Sequence, residues 1–328
     1  MTAAAVNDRT SHWRALGRLM RFLGMPMLLL ASMAGTIAVH PDFGAFEIQS
    51  LALGALPLAL AAAAQAIVVI SGGIDLSVGS LIAVSNVLSA SLMQHATIGQ
   101  ALAFSLLVLV CGAAQGFLNG LIVAVSRIPD VVATLTTGFI WGGIALLIME
   151  RPGGGAPAAY LNIAAGADFW PWLPNALVVM VVAIAAIWLP VRYSRIGLLL
   201  YAAGSDPVAA FRSGVNVMGA RTIAYVLGGV ACAVGGMALT MTTEIGAPLA
   251  GSYYTLSSVA AVVIGGVSLN GGRGGMTGPV IAALLLTLAP MDLVFLGIDP
   301  NYGQVIQGTL IVLVVMFGGF FTFLRARK

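Results

Sequence analysis

Long apolar stretches separated by short polar segments run through almost the whole chain. Each stretch is about 17 residues or longer, which is the length an α-helix needs to cross the hydrocarbon core of a bilayer. The pattern predicts an all-α fold, a polytopic helical membrane protein with about ten transmembrane helices. The predicted spans are residues 22–39, 51–70, 76–93, 101–125, 131–149, 173–191, 222–243, 253–269, 276–296 and 302–324.

The composition supports this class. Hydrophobic residues make up 60% of the 328 residues and charged residues only 8%, and the mean hydropathy is +1.04. Soluble domains carry about three times that share of charge. The net charge of +3 is small, and it gives no reason to expect a nucleic acid partner.

The positions of the cations predict the orientation. An even number of spans places both chain ends on one side of the membrane, and cytoplasmic loops are enriched in Lys and Arg. With the ends in the cytoplasm, Arg151 is the one cation of 14 that falls outside. The sequence therefore predicts a cytoplasmic tail at 1–21, a membrane domain at 22–324 with a cytoplasmic segment at 192–221, and a cytoplasmic end at 325–328.

One stretch interrupts the apolar pattern with two glycines and a carboxylate. It reads ISGGIDLSVGS, from Ile70 to Ser80, and contains Asp75. Broken backbone at membrane depth is tolerated only against protein or a water-filled cavity. The stretch predicts a broken or re-entrant segment near residues 70–80. Two interpretations remain open, a tight turn joining two spans or a break that lines a pathway or a contact face.

The loop from Arg192 to Arg221 predicts a short helix with its own ends. Asp206 suits the N-cap, Pro207 the first helical position and Gly214 the left-handed position after the last turn, which gives a helix of Pro207 to Ser213. Such a helix between two spans is either a plug for a partner protein or an ordinary interfacial helix.

A possible internal repeat links the two halves of the chain. The segment VVIGGVSLN, from Val262 to Asn270, resembles VVISGGIDLS, from Val68 to Ser77, with one residue deleted. Internal repeats are common in transporters. Chance similarity of two apolar, glycine-rich segments is the alternative.

Several kinds of chemistry find no support. The glycine-rich Gly271 to Gly278 is no P-loop, because that motif needs a lysine and the single lysine is Lys328. The three histidines are scattered, so neither an enzyme nor a metal site is expected. Apart from Asp75 at the break, the carboxylates fall in the tail, in loops or at span ends, so an ion-coupled carrier lacks an obvious coupling residue.

Neutral polar residues do occur within the spans. They suit the passage of an uncharged, hydroxyl-rich solute, although the same residue types also join helices to one another. The candidates for a translocation pathway are Gln65, Asn86, Asn119, Thr134 and Thr137, with Gln115 and Thr136 as further members of the set.

Six separated blocks of the sequence carry a family resemblance. The blocks are Ile74–Gly79 (IDLSVG), Phe117–Ala124, Ile128–Gly138, Gly204–Val217, Val259–Gly278 and Tyr302–Gly308. As a set they resemble the ribose-type sugar permeases of bacterial ATP-binding cassette (ABC) importers, and the likeness covers roughly residues 50–320.

The resemblance implies a permease in the bacterial inner membrane and a set of site residues. A separate ATPase subunit would bind ATP and Mg²⁺, so no cofactor is expected in this chain. A periplasmic sugar-binding protein and a second permease, as a copy or a paralogue, would complete the importer. The implied ATPase-coupling residues are Asp206, Pro207, Ala209, Ala210, Arg212, Ser213 and Gly214, and the signature residues are Gly73, Asp75, Ser77 and Gly79.

Two other functions remain open from the sequence. A branched-chain amino acid or nucleoside ABC permease shares the overall plan, and an ion-coupled secondary carrier would work alone.

Overall fold

The computed structural model describes most of the chain as α-helix. It describes residues 23–40, 42–126, 128–166, 168, 170, 172–299 and eight residues between 302 and 316. The predicted tail at 1–21 and the chain end at 325–328 lie outside the described residues. The helices are α1 Leu23–Val39, α2 Ala45–Ile70, α3 Val78–Met93, α4 Ile98–Ser126, α5 Asp130–Ile148, α6 Ala158–Ala165, α7 Asn175–Arg192, α8 Arg195–Ser205, α9 Pro207–Arg212, α10 Val217–Thr243, α11 Ser252–Ile264 and α12 Thr277–Phe295. The residues described between 302 and 316 are helical as well.

Within this described part, six helices are long and apolar enough to cross a membrane: α2, α4, α5, α7, α10 and α12. The helices α1, α3 and α11 are apolar but shorter. Each of the first nine predicted spans overlaps one of these nine helices. The prediction of a polytopic helical membrane protein is therefore confirmed.

The helix α2 forms the centre of the bundle. Every residue from Ala55 to Ile70 is buried, and α3, α7, α8, α10, α11 and α12 pack around it. A helix that is apolar on all sides is stable when other helices cover every face. The alanines of its middle turns keep the helix thin, so that its neighbours approach closely.

The helices α4 and α10 pack through small residues. A Cβ built on Gly116 of α4 would overlap the carbonyl oxygen of Tyr225, and one built on Gly120 would lie 2.9 Å from the Thr222 Cα. Gly112, one turn earlier, faces Gly229 in the same way. This spacing of small residues lets two helix backbones touch over several turns.

A re-entrant segment precedes α3. Residues 71–77 turn back along α2, so that Gln65, five residues before the end of α2, faces the backbone of Asp75. Ser77 packs beside Gly138, which lies eight residues inside α5. At 1.5 Å per helical residue, α3 begins about 10 Å inside the bundle. The predicted break is present at this stretch, and the segment is a buried turn that contacts α2 and α5. A role in lining a pathway stays a prediction.

A second irregular segment precedes α11 from the other end of the bundle. Residues 244–251 run along α3, with Ile245 and Ala247 beside Asn86 and then Gly251 against Gly79. The contacts thus move by seven residues along α3, or about 10 Å. The N-termini of α3 and α11 therefore meet inside the bundle.

The loops gather into two groups. At one end, the Gly272 N–H donates to the Ile70 carbonyl at 2.9 Å, and Gly204 packs against Gly72. At the other end, Gly153 and Gly246 pair through two backbone hydrogen bonds of 3.0 and 2.8 Å. The first group consists of loops that the sequence places in the cytoplasm, and the second of loops that it places outside.

The two segments of the possible repeat end their helices in the same way. Gly72 and Gly266 both have positive φ angles, of 87° and 77°. At each end, the N–H of this glycine and the N–H of the next residue donate to the carbonyls of residues three and five positions earlier, respectively. The two segments therefore align without a deletion as far as the turn. The helices α9 and α12 end likewise at Gly214 and Gly297, so this turn is a general helix ending here and does not by itself establish a repeat.

Candidate functional site

The carboxylate of Asp75 stabilises the start of α3. Asp75 is 1% exposed, and its Oδ1 accepts hydrogen bonds from the Ser77 N–H at 2.8 Å and the Ser77 hydroxyl at 2.5 Å. A negative group at a helix N-terminus is favourable because the first N–H groups lack partners within the helix. The sequence placed Asp75 at a break between spans, whereas the re-entrant course carries it beside Gln65 in the interior of the bundle.

A chain of hydrogen bonds continues from Ser77 to two further helices. The Asn119 side-chain amide of α4 donates to the Ser77 hydroxyl at 2.7 Å, and the Trp141 indole N–H of α5 donates to the Asn119 carbonyl at 3.1 Å. The start of α3 is thereby joined to both helices. Sequence reasoning missed Trp141, because nothing in its local pattern distinguishes it from a lipid-facing residue.

Side chains of α2 and α5 satisfy the backbone of the re-entrant segment. With its amide nitrogen facing the Asp75 carbonyl, Gln65 donates to it at 2.8 Å and accepts from the Asp75 N–H at 3.3 Å. The Thr134 hydroxyl accepts from the Leu76 N–H at 3.0 Å and lies 3.2 Å from the Ile74 carbonyl. Buried irregular backbone requires such partners.

Two signature glycines are explained by close approach. A Cβ built on Gly73 would lie 2.9 Å from the Tyr225 hydroxyl and 3.0 Å from Asp130 Oδ2. A Cβ built on Gly79 would overlap the carbonyl of Gly251. A larger residue at Gly79 would push the backbone of Gly251 away, whereas one at Gly73 would displace the ends of the Tyr225 and Asp130 side chains.

The five leading candidates for the pathway are all buried and hydrogen-bonded within the chain, whereas Thr136 is exposed and the buried Gln115 side-chain oxygen has no hydrogen-bond partner. Asn86 is the best connected: its amide donates to the Thr240 hydroxyl at 2.9 Å and to the Ile245 carbonyl at 3.1 Å, and its carbonyl accepts from the Ala247 N–H at 2.7 Å. The Thr137 hydroxyl donates to the Thr134 carbonyl at 3.2 Å. The Asn86 contacts join α3 to α10 and to the segment after it, whereas the Thr137 contact lies within α5. The pathway role of these residues stays a prediction. The exposed fractions are 0% for Gln65, Asn86 and Thr134, 1% for Asn119 and 5% for Thr137.

The short helix α9 has the caps that the sequence predicts. Asp206 Oδ1 accepts from the Val208 and Ala209 N–H groups, both at 3.0 Å, and Pro207 opens the helix. The helix ends at Arg212, with Ser213 as its C-cap and Gly214 in the left-handed conformation at φ 84°. Its end is one residue earlier than predicted.

Most of α9 faces away from the bundle. Only Ala210 is buried, whereas Val208 is 59% exposed and Phe211 73% exposed. Arg212 is exposed beside them. Two large apolar side chains on a helix of six residues form a small exposed apolar patch. The sequence did not predict this patch, because the prediction for α9 rested on its caps and its cation.

Polar contacts hold α8 and α10 at the same end. The Tyr201 hydroxyl donates to the Gly274 carbonyl at 2.7 Å, and Arg192 lies 5.2 Å from the centre of the Tyr201 ring. Partial burial raises the pKa of Tyr201 and Arg192 opposes this, so the phenol stays a neutral donor. Arg221 Nη1 lies 3.9 Å from Asp130 Oδ1. Among the described residues, no group of three or more His, Cys, Asp or Glu side chains comes together.

Comparison with known proteins identifies the family. Residues 48–315 match the family described as the permease component of the branched-chain amino acid transport system. The chain belongs to this permease family. The permease is 31% identical over 269 residues to the ribose import permease protein RbsC of Escherichia coli K12, covering 79% of this chain and 81% of that protein.

Other sugar permeases are about as similar. The fructose import permease protein FrcC of Rhizobium meliloti is 30% identical over 88% of this permease and 82% of its own length. The galactose/methyl galactoside import permease protein MglC of Escherichia coli K12 is 30% identical over 75% and 78%. The resemblance to sugar ABC permeases is therefore confirmed, and these relatives are transport proteins rather than enzymes. No solved structure matches significantly.

Proposed function

We propose that this chain is the membrane permease subunit of an ABC importer and forms the translocation pathway for a monosaccharide or a similar neutral polyol. The observation that carries the proposal is the identity of about 30% to ribose, fructose and galactose permeases along most of the chain. In the bacterial inner membrane, residues 22–324 would act as the permease domain.

The importer would need three kinds of partner. A periplasmic sugar-binding protein delivers the solute, a separate ATPase supplies energy, and a second permease copy or paralogue completes the pathway. ATP and Mg²⁺ are bound by the ATPase, because the single lysine of this chain, Lys328, does not lie in a Walker A sequence. This chain itself then needs no cofactor.

In this proposal α9 is the contact for the ATPase. Its exposed Val208 and Phe211 supply apolar anchors, and Arg212 beside them is suited to an acidic group of the partner. Movement of the ATPase against α9 would rotate helices as rigid bodies and alternate access to the pathway. We expect Arg212→Glu to uncouple ATP hydrolysis from uptake while the complex still inserts. Unchanged uptake contradicts this role of Arg212.

The proposed topology has ten spans and both chain ends in the cytoplasm. It is tested with single cysteines in a chain whose Cys111 and Cys232 are replaced by serine. A cysteine replacing Arg212 should react with an impermeant maleimide only in broken cells, whereas one replacing Arg151 should react in cells with a permeable outer membrane. The reverse pattern contradicts the orientation and the function built on it.

Two alternatives have their own support. The family description favours a branched-chain amino acid permease, although the sugar relatives fit the neutral residues of the spans better. A nucleoside permease would share the same overall plan. The buried Asp75 gives an ion-coupled carrier a candidate coupling residue that the sequence alone did not offer.

Uptake measurements separate these functions. In the native host, deletion of the gene should abolish high-affinity uptake of one of radiolabelled D-ribose, D-fructose or D-galactose, and the wild-type gene should restore it. Uptake of labelled leucine and uridine tests the alternative of a branched-chain amino acid or nucleoside permease. Purified chain in liposomes, without ATP or partners, tests the carrier, and sugar uptake there contradicts the proposal.

A further inference from the structure

The flanks of α9 both contact the same turn, at Gly72. On one side, Gly204 of α8 packs so closely that a Cβ built on Gly72 would lie 3.3 Å from the Gly204 Cα. On the other side, Arg221 Nη2, in the second turn of α10, lies 3.5 Å from the Gly72 carbonyl oxygen. A displacement of α9 therefore acts on this turn from two directions.

Arg221 makes long contacts with two different elements. Its Nη1 lies 3.9 Å from Asp130 Oδ1 at the start of α5, and its Nη2 is 3.5 Å from the Gly72 carbonyl. Both distances are at the upper limit for such interactions. Its Nε is buried without a hydrogen-bond partner. The guanidinium thus has unused donors and is held tightly by neither neighbour.

The groups around Arg221 surround the first half of the re-entrant segment. Tyr225 lies one turn further along the same face of α10, and its hydroxyl donates to the Ile74 carbonyl at 3.4 Å. Asp130 Oδ2 lies 3.0 Å from the position of a Cβ on Gly73. Asp75 follows directly and fixes the start of α3. Movement at Gly72 is therefore passed to a helix that begins inside the bundle.

We infer that Arg221 is the positioning residue that transmits displacement of α9 to the re-entrant segment 71–77. The inference rests on the proposed function. When the ATPase moves α9, α10 moves with it, because only residues 213–216 separate the two helices. The guanidinium then closes on either the Asp130 carboxylate or the Gly72 carbonyl, so that the segment takes one of two positions.

The test compares sugar transport with ATP consumption. Tagged wild-type and Arg221→Gln chains replace the chromosomal copy in the native host, and uptake of labelled D-ribose, D-fructose and D-galactose is measured. ATP hydrolysis is measured on the complex purified from the same cells. We expect Arg221→Gln to lower the sugar taken up per ATP hydrolysed about tenfold, with the amount of complex unchanged.

Three further variants make the result specific. Arg273→Gln, at an exposed arginine of the same end, should keep the wild-type ratio. Arg221→Lys keeps the charge without the planar fork and should give an intermediate ratio. Exchange of the charges, Asp130→Arg with Arg221→Asp, should restore part of the ratio, which a merely structural role of Arg221 does not predict.

The failures of the two proposals are distinguishable. A wild-type chain that takes up none of the sugars and activates no ATPase overturns the proposed function and this inference together. A wild-type chain that transports, with an unchanged ratio in Arg221→Gln, overturns only the inference. If Arg221→Gln does not assemble, a folded Arg221→Lys complex with the wild-type ratio overturns it.

Discussion

Gly79 and Gly251 meet backbone to backbone, at the starts of two helices that enter the bundle from opposite ends. A Cβ on either glycine would overlap the carbonyl oxygen of the other, so the contact is reciprocal. Around it, the sequences GIDLSVGS at 73–80 and GAPLAGS at 246–252 are alike. The segments before α3 and α11 thus share a short sequence likeness and a close glycine contact.

Replacement of Gly79 by alanine should destabilise the bundle. The added methyl must push α11 away, which costs about 1 to 3 kcal/mol in a packed core. The midpoint of thermal unfolding in detergent, followed by size-exclusion chromatography, should fall. Gly143→Ala is the matched control, because nothing lies within 4 Å of that Cβ and alanine favours the helix. Equal midpoints for the two variants contradict the tight contact.

Substitution of Asn86 should reveal whether it supports the fold or contacts the solute. Asn86→Ala leaves the Ala247 N–H unpaired, and a buried unpaired group costs about 1 to 3 kcal/mol. The Ile245 carbonyl keeps its hydrogen bond from the Thr243 hydroxyl. We expect a lower unfolding midpoint with unchanged sugar preference, and no effect of Asn270→Ala at an exposed site. A changed preference at normal stability supports the pathway role.

Removal of the α9 cap should loosen the helix. Asp206→Ala loses both side-chain hydrogen bonds at the N-terminus, a loss of about 1 kcal/mol. Hydrogen exchange at the Val208 and Ala209 amides should become faster, and sugar uptake should fall. Asp206→Asn keeps an acceptor and should behave like the wild type; equal exchange in the alanine variant argues against the cap.

Truncation of Phe211 should weaken the ATPase contact without affecting the fold. We expect Phe211→Ala to reduce affinity for the ATPase about tenfold, as for a buried aromatic anchor. Binding is measured by titrating the purified ATPase onto permease in nanodiscs. Phe46→Ala is the control, since both phenylalanines are strongly exposed but Phe46 lies at the opposite end. An equal affinity for both variants places the contact elsewhere.

Replacement of Asp75 separates a structural carboxylate from an ion-coupling one. The Asp75→Asn side chain still accepts both hydrogen bonds from Ser77, so uptake should stay within about threefold of the wild type. Asp75→Leu should lose both uptake and stability. Loss of uptake in a stably folded Asp75→Asn chain favours the ion-coupled carrier.

Local chemistry was predictable from the sequence, and tertiary contacts were not. The ends of α9 follow from Asp206, Pro207 and Gly214, because capping involves neighbours in the chain. The glycines and Asp75 predicted a break, but its course along α2 depends on Gln65 and Thr134, which no local pattern links to it. The polar residues of the spans were found, whereas their partners were not.

The position of Arg221 illustrates the same limit. From the sequence, Arg221 contributed only to the predicted membrane orientation, as one of the cytoplasmic cations. Its neighbours in the structure, Asp130 and Gly72, lie 91 and 149 residues away along the chain. The exposure of Phe211 could not be predicted for a related reason. In a chain that is apolar throughout, an exposed apolar residue cannot be told from a buried one until its surroundings are known.

The brevity of α11 has a consequence for how the chain is made. Its 13 residues extend about 20 Å, short of the roughly 30 Å of hydrocarbon that a lone segment must cross. We therefore expect the translocon to release α11 into lipid only together with α12, as a helical hairpin. Biogenesis of the second half would then be a cooperative event, in which a ribosome stalled between these two helices leaves α11 accessible to water.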